Sequence, residues 1–185
     1  MSVASLAETF SLTIGGVTRE VPLVRLASNR RLPLVEFLGD TELCKAAASE
    51  LQKLLPENAQ VLFTCETSSI PLVHDLAQVA GLPYEVARKR RRPYMNDPLI
   101  QEVASMTLGV GETLWLDSNR AVNLKGKQVV IVLDVVASGG TVQALERLIL
   151  RAGGKVCARI AAFSQGKPKL DLRVAQELPI FDGVG

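Results

Sequence analysis

The feature that most constrains this chain is an alternation. Short apolar runs, "AQVLFT" at 59–64, "YEVAR" at 84–88, "GKQVVIVLD" at 126–134 and "KVCARIAAF" at 155–163, are separated by segments of helical periodicity. A short apolar run bounded by turn residues suits a strand buried on both faces, and strands alternating with helices pair in parallel. The helical segments carry their own start and stop signals. Asp40 can cap a helix through "TELCKAAASELQKLL", where Leu43, Ala47, Leu51 and Leu54 share one face. In "IPLVHDLAQVAG", Pro71 suits a first turn and Gly81 a C-terminal stop. The expected fold class is therefore α/β, a central, mostly parallel sheet flanked by helices.

The remaining segments frame that core. "FSLTIGGVTREVPLVRL" reads as an N-terminal β-hairpin turning at Gly15-Gly16. "KRRRPYMNDPLIQEV" is polar and broken by Pro93 and Pro98, which predicts a long mobile loop over 90–104. "SMTLGVGETLWL" predicts a second hairpin. A length of 185 residues suits one domain with a full core, and an aromatic content of 4% favours aliphatic α/β packing over an all-β sandwich.

Composition also removes several classes of function. A net charge of +2 is too small for a general nucleic-acid binder. Cys44, Cys65 and Cys157 lie far apart with no CxxC pair, which argues against a disulfide framework and a structural zinc site. The first residues lack a basic region followed by an apolar core, and no apolar run approaches the roughly 20 residues that span a bilayer. A cytoplasmic protein without a membrane partner is expected. Neither GxxxxGK[ST] nor GxGxxG occurs.

Ligands of parallel sheets gather at the carboxyl ends of the strands, where "CETSS", "RKRRR" and "DVVASGGT" all fall. In "ASGGT", Ser138 and Thr141 offer hydroxyls, Gly139 and Gly140 allow close backbone approach, and the next helix presents unpaired N–H groups to an anion. A plain strand-to-helix turn has the same composition, so both readings stand on spacing alone. The run 88–92 is either a solvated cation run, a nucleic-acid patch or part of an anion site. Arg88 and Lys89, at the strand end, are the site candidates; Arg90, Arg91 and Arg92 are left to steering anions or facing solvent. His74, Cys65 and Trp115 have no partner groups in sequence that favour chemistry over packing.

Residues 129–141 resemble the phosphoribosyl pyrophosphate (PRPP) signature of type I phosphoribosyltransferases: an apolar strand, an acidic pair, small residues, then Thr/Ser-Gly-Gly-Thr. The order of "LGDTEL", "CETSS", "VARKR", "YMNDP", the hairpin and "LKGKQVVIV" is similar to the adenine phosphoribosyltransferase-like branch. This resemblance implies that Asp134 is catalytic, holding a ribose hydroxyl directly or through Mg²⁺, by way of water. It implies that Ala137, Ser138, Gly139, Gly140 and Thr141 bind the 5′-phosphate. Glu66, Thr67, Ser68 and Ser69 would form the pyrophosphate loop, joined by Arg88 and Lys89.

It further implies a cytoplasmic homodimer that uses PRPP and Mg²⁺, takes a purine base rather than nucleic acid, and makes a nucleoside monophosphate in purine salvage. Residues 1–38 and 166–185 would supply a hood around a core at 39–165. Ala137 stands where the 6-oxopurine branch commonly has an aspartate, which favours an adenine-like base. Two positions depart from the pattern: Leu133 replaces the first acidic residue, and Gly109 replaces a glutamate of the hairpin. They support an alternative, a catalytically weakened PRPP- or nucleotide-binding regulatory protein of the same fold. The N-terminal residues read as strands and not as a helix-turn-helix.

Overall fold

The structure, a computed structural model, describes residues 8–26, 29–104 and 111–182. Strands β1 (Thr9–Ile14) and β2 (Val17–Arg25) form the expected hairpin, with Ile14 opposite Val17. Gly15 and Gly16 both adopt positive φ, and a Cβ on Gly15 would lie 2.8 Å from the Ala46 carbonyl oxygen. The turn thus needs glycine both for its backbone and to lie against helix α1 (Thr41–Gln52). Asp40 caps α1 by accepting from the Leu43 N–H at 2.9 Å, and Arg19 of β2 clamps the same carboxylate. A short β3 (Arg31–Pro33) completes the N-terminal sheet.

The core is a five-stranded sheet with β4 (Val61–Cys65), β5 (Tyr84–Ala87), β8 (Gln128–Val136), β9 (Lys155–Gln165) and β10 (Arg173–Leu178) in the order β10-β9-β8-β4-β5. Every pairing in it is parallel. Its two faces divide the aliphatic residues. Val130 and Val132 of β8 pack toward α1 and α2 (Ser69–Ala80), while Val129, Ile131 and Leu133 pack toward α4 (Gly140–Arg151). Gly81 ends α2 in the left-handed conformation, as its position suggested. Arg173–Leu178 add an edge strand beside β9, and Phe181 then pairs with Arg31 of β3.

The segment 90–104 differs from the expected loop. Leu99–Glu102 form β6, which pairs antiparallel with β7 (Thr113–Leu116). Met95 and Val103 are buried. Both prolines fall before β6, so neither removes a ladder donor, and the apolar residues of "LIQEV" find partners in "TLWL". The second hairpin is therefore wider than expected, and its tip, with Gly109, lies outside the described residues. A short helix α3 (Ser118–Ala121), capped by Asp117, was not legible in the sequence. Arg88 and Trp115 exchange two backbone hydrogen bonds of 2.8 Å, tying the hairpin to the end of β5.

Candidate active site

The turn after β8 enters α4 directly. Gly139 sits at the N-cap with φ 84°, and the Gly140 N–H reaches the Ser138 hydroxyl at 3.5 Å. The glycines serve the chain's own packing as well as any ligand. A Cβ on Gly139 would lie 2.2 Å from Leu170, and one on Gly140 2.4 Å from the backbone oxygen of Ala104. Ala137 and Ser138 are exposed at the mouth of the turn. The turn lines a cavity of about 210 Å³ that Leu133 and Val135 also wall. The first turn of α4 offers N–H groups without intrahelical partners, a physical basis for holding an anion.

Asp134 stands beside it on β8. Its carboxylate accepts from the Ser68 hydroxyl at 2.5 Å and the Ser69 hydroxyl at 2.9 Å, and its backbone N–H donates to the Ser69 oxygen at 3.2 Å. The two serines open α2, so its positive end also faces this carboxylate. The Leu133 side chain packs instead in the α4-side core at 4% exposure, opposite Ala161 in register, while the residue borders both cavities. Strand alternation explains the difference, since neighbouring positions face opposite sides of the sheet.

The 66–69 turn and the end of β5 form a third group. Glu66 Oε1 accepts from Arg88 Nη1 at 2.5 Å and from Arg92 Nη2 at 3.3 Å, and Oε2 accepts from the Lys89 N–H at 2.8 Å. Burial alone would raise the Glu66 pKa; the Lys89 N–H and the two guanidinium groups outweigh it and hold the carboxyl below its ordinary value. The Lys89 ammonium pairs with Glu112 at 2.8 Å, and this bond offsets burial and raises the lysine pKa. The peptide between Glu66 and Thr67 is cis. Burial pushes the neighbouring Cys65 thiol up to about 12, which removes it as a nucleophile at neutral pH.

Most of these groups meet at one cleft, and Arg88 and Arg92 are joined to it through Glu66. A cavity of about 120 Å³ is walled by Glu66, Thr67, Ser68, Ser69, Lys89, Asp134 and Thr141, and it shares Leu133, Val135 and Thr141 with the cavity at the glycine turn. Arg92 and Glu112 join the cluster without having been singled out in sequence. In sequence Arg92 is left to steering anions or facing solvent, and Glu112, flanking the hairpin, reads as a solvent-facing carboxylate. A separate cavity of about 540 Å³, lined by Tyr84, Val86 and Arg88, includes neither the glycine turn nor Asp134. Among the described residues no cluster of three acidic, His or Cys side chains is placed to hold a metal. No helix among them is long and apolar enough to cross a membrane.

The family model of the phosphoribosyl transferase domain matches residues 40–176. The hypoxanthine/guanine phosphoribosyltransferase of Methanococcus vannielii is 28% identical over 138 residues, covering 75% of this chain and 69% of that protein. That of Methanocaldococcus jannaschii is 31% identical over 113 residues, 61% of this chain and 58% of that protein. Among solved structures, adenine phosphoribosyltransferase from Thermoanaerobacter pseudethanolicus superposes with a TM-score of 0.66 at 21% identity, covering 76% of this chain and 84% of that one. That from Rhodothermus marinus gives 0.64 at 18% identity, over 85% and 93%. A family match across most of the chain, carried on a parallel sheet whose carboxyl edge bears the glycine turn, places this protein in the type I phosphoribosyltransferase family.

Proposed function

We propose that the protein transfers the phosphoribosyl group of PRPP to a ring nitrogen of a purine base. The observation that supports this most is the cleft itself. The glycine turn borders a cavity that also holds Asp134, Lys89 and Glu66, and Arg88 and Arg92 pair with that glutamate. An anion-binding turn, a carboxylate and a group of cations at one cleft suit a sugar that carries a phosphate and a pyrophosphate. In the reaction the bond from the anomeric carbon to the pyrophosphate oxygen breaks, and a bond to the base nitrogen forms as that nitrogen loses its proton. Ala137, Ser138, Gly139, Gly140 and Thr141 hold the 5′-phosphate. Asp134 accepts from a ribose hydroxyl and steadies the positive charge that develops on the ring. Arg88 and Lys89, with the 66–69 turn, meet the negative charge that accumulates on the leaving group.

Mg²⁺ fits as a partner of the ligand more than of the protein. Asp134 is the cleft carboxylate not already paired with a cation, and Mg²⁺ is commonly held by one or two carboxylates together with substrate phosphates. When bound it would neutralise charge on the pyrophosphate. Adenine-like bases are the first choice, because Ala137 leaves the mouth of the turn without a carboxylate to face a 6-oxopurine. The names of the curated relatives favour the second reading, hypoxanthine or guanine. The product would be a nucleoside monophosphate made in cytoplasmic purine salvage, and the active form a homodimer, which sedimentation of the purified chain tests. The deciding experiment is pyrophosphate release from PRPP and Mg²⁺ with adenine, hypoxanthine, guanine and pyrimidines in turn. Release with none of them, while ribose 5-phosphate still binds, would leave the regulatory reading in its place.

A further inference from the structure

The cleft holds two internal carboxylates on its cations, and they differ. Glu112 meets Lys89 with both side chains well exposed, at 50% and 40%. Glu66 is 11% exposed, and its two oxygens take three donors from the end of β5 and the residues after it. A carboxylate repels a bare anion, so the Glu66 side chain is not a direct donor to a pyrophosphate. Its effect on the arginines is the relevant one. A guanidinium carries five N–H donors in a rigid fork. Arg88 and Arg92 each spend a terminal nitrogen on Glu66, and both guanidinium side chains remain more than one-third exposed, at 38% and 44%.

We propose that Glu66 is a positioning residue: its carboxylate fixes Arg88, Arg92 and the Lys89 N–H as one preformed anion receptor for the pyrophosphate end of the ligand, while Glu112 is the counter-ion exchanged for that ligand. This deepens the phosphoribosyl-transfer reading and rests on it. It brings Arg92 into the site. Arg88, Lys89 and Arg92 are balanced by Glu66, Glu112 and the nearby Asp134, and release of Glu112 leaves the cluster net positive. Two long side chains held in advance need not be ordered by the ligand, which is the general advantage of preorganisation. Lys89 and Glu112 also link the end of β5 to the residue before β7, a link that adds to the two backbone hydrogen bonds between Arg88 and Trp115.

The test is calorimetric titration of the wild type, Glu66→Gln and Arg92→Gln with Mg²⁺-pyrophosphate and, separately, with ribose 5-phosphate. Glu66→Gln should bind pyrophosphate at least about tenfold more weakly, with ribose 5-phosphate affinity altered less than about twofold. Arg92→Gln, at an exposed side chain, should show the same split more mildly and keeps the test available if the buried variant does not fold. Pyrophosphate binding as tight or tighter in Glu66→Gln would mean that Glu66 competes with the ligand, and overturns the proposal. Loss of both ligands together in Glu66→Gln, with no change in Arg92→Gln, overturns it in favour of a purely structural role. A wild type that binds ribose 5-phosphate but not pyrophosphate overturns it while sparing the glycine turn; a wild type that binds neither overturns the functional reading as well.

Discussion

Leu133→Asp would restore the acidic pair of the PRPP signature, and the structure predicts that it fails as a repair. Leu133 is 4% exposed in the core between β8 and α4, and its cross-strand partner is Ala161. Removing a buried leucine side chain costs about 2–5 kcal/mol. A carboxylate placed there adds the penalty of a charge without a partner. The greatest gain available is one charged hydrogen bond to a ribose hydroxyl, about 1.5–3 kcal/mol, and it exists only with ligand bound. The loss therefore wins in the free protein. At roughly 2–4 °C per kcal/mol for a chain of this size, the thermal midpoint should fall on the order of 10 °C. Scanning calorimetry with and without PRPP reads both effects. The expected result is a lower midpoint and PRPP binding no tighter than wild type. A midpoint unchanged within about 2 °C together with tighter PRPP binding would refute the assignment of this side chain to the core.

Gly140→Ala should push the turn away from 103–104, because its Cβ would lie 2.4 Å from the Ala104 oxygen, and ribose 5-phosphate affinity should fall about tenfold by calorimetry. Asp40→Ala removes the cap of α1 and the partner of Arg19, and should lower stability by about 1–2 kcal/mol in urea titrations; a change near zero would deny the cap its role. Glu66 has a depressed pKa, so the stability it contributes is complete above the ordinary value of 4.5 and is lost as pH falls through its lower folded value. Acid unfolding of Glu66→Gln should accordingly depend less steeply on pH below 4.5 than that of the wild type. Burial raises Cys65 to about 12 and Cys44 to about 11, so both should resist a thiol reagent at pH 8 until the protein unfolds; rapid labelling of the native chain would contradict their packing.

The alternation of apolar runs and helices, the Asp40 cap, the Gly15-Gly16 turn and the Gly81 stop were legible because each depends on residues a few positions apart. So was the turn at 138–141, where a strand end, small residues and a helix start lie in succession. The same local reasoning misplaced the segment 90–104. Prolines and charges describe the start of that segment, but Leu99–Glu102 become a strand only because Thr113–Leu116 arrive beside them. Nothing within "LIQEV" records that partner.

The partners inside the cleft lay beyond sequence for the same reason. Ser68 and Ser69 reach Asp134 across 66 and 65 positions, and Arg92 reaches Glu66 across 26. Leu133 and Asp134 are adjacent letters, and only the orientation of β8 shows that one enters the core while the other faces the serines. The glycines at 139 and 140 suggested room for a ligand; the fold adds that Leu170 and Ala104 press against the same turn. Sequence by itself determined the order of the elements and the chemistry available at their ends, because turn geometry and periodicity act over a few residues. Which of those groups meet was decided by the parallel sheet, which carries the ends of β4, β5 and β8 to one edge and so brings distant carboxylates, cations and hydroxyls within hydrogen-bonding distance.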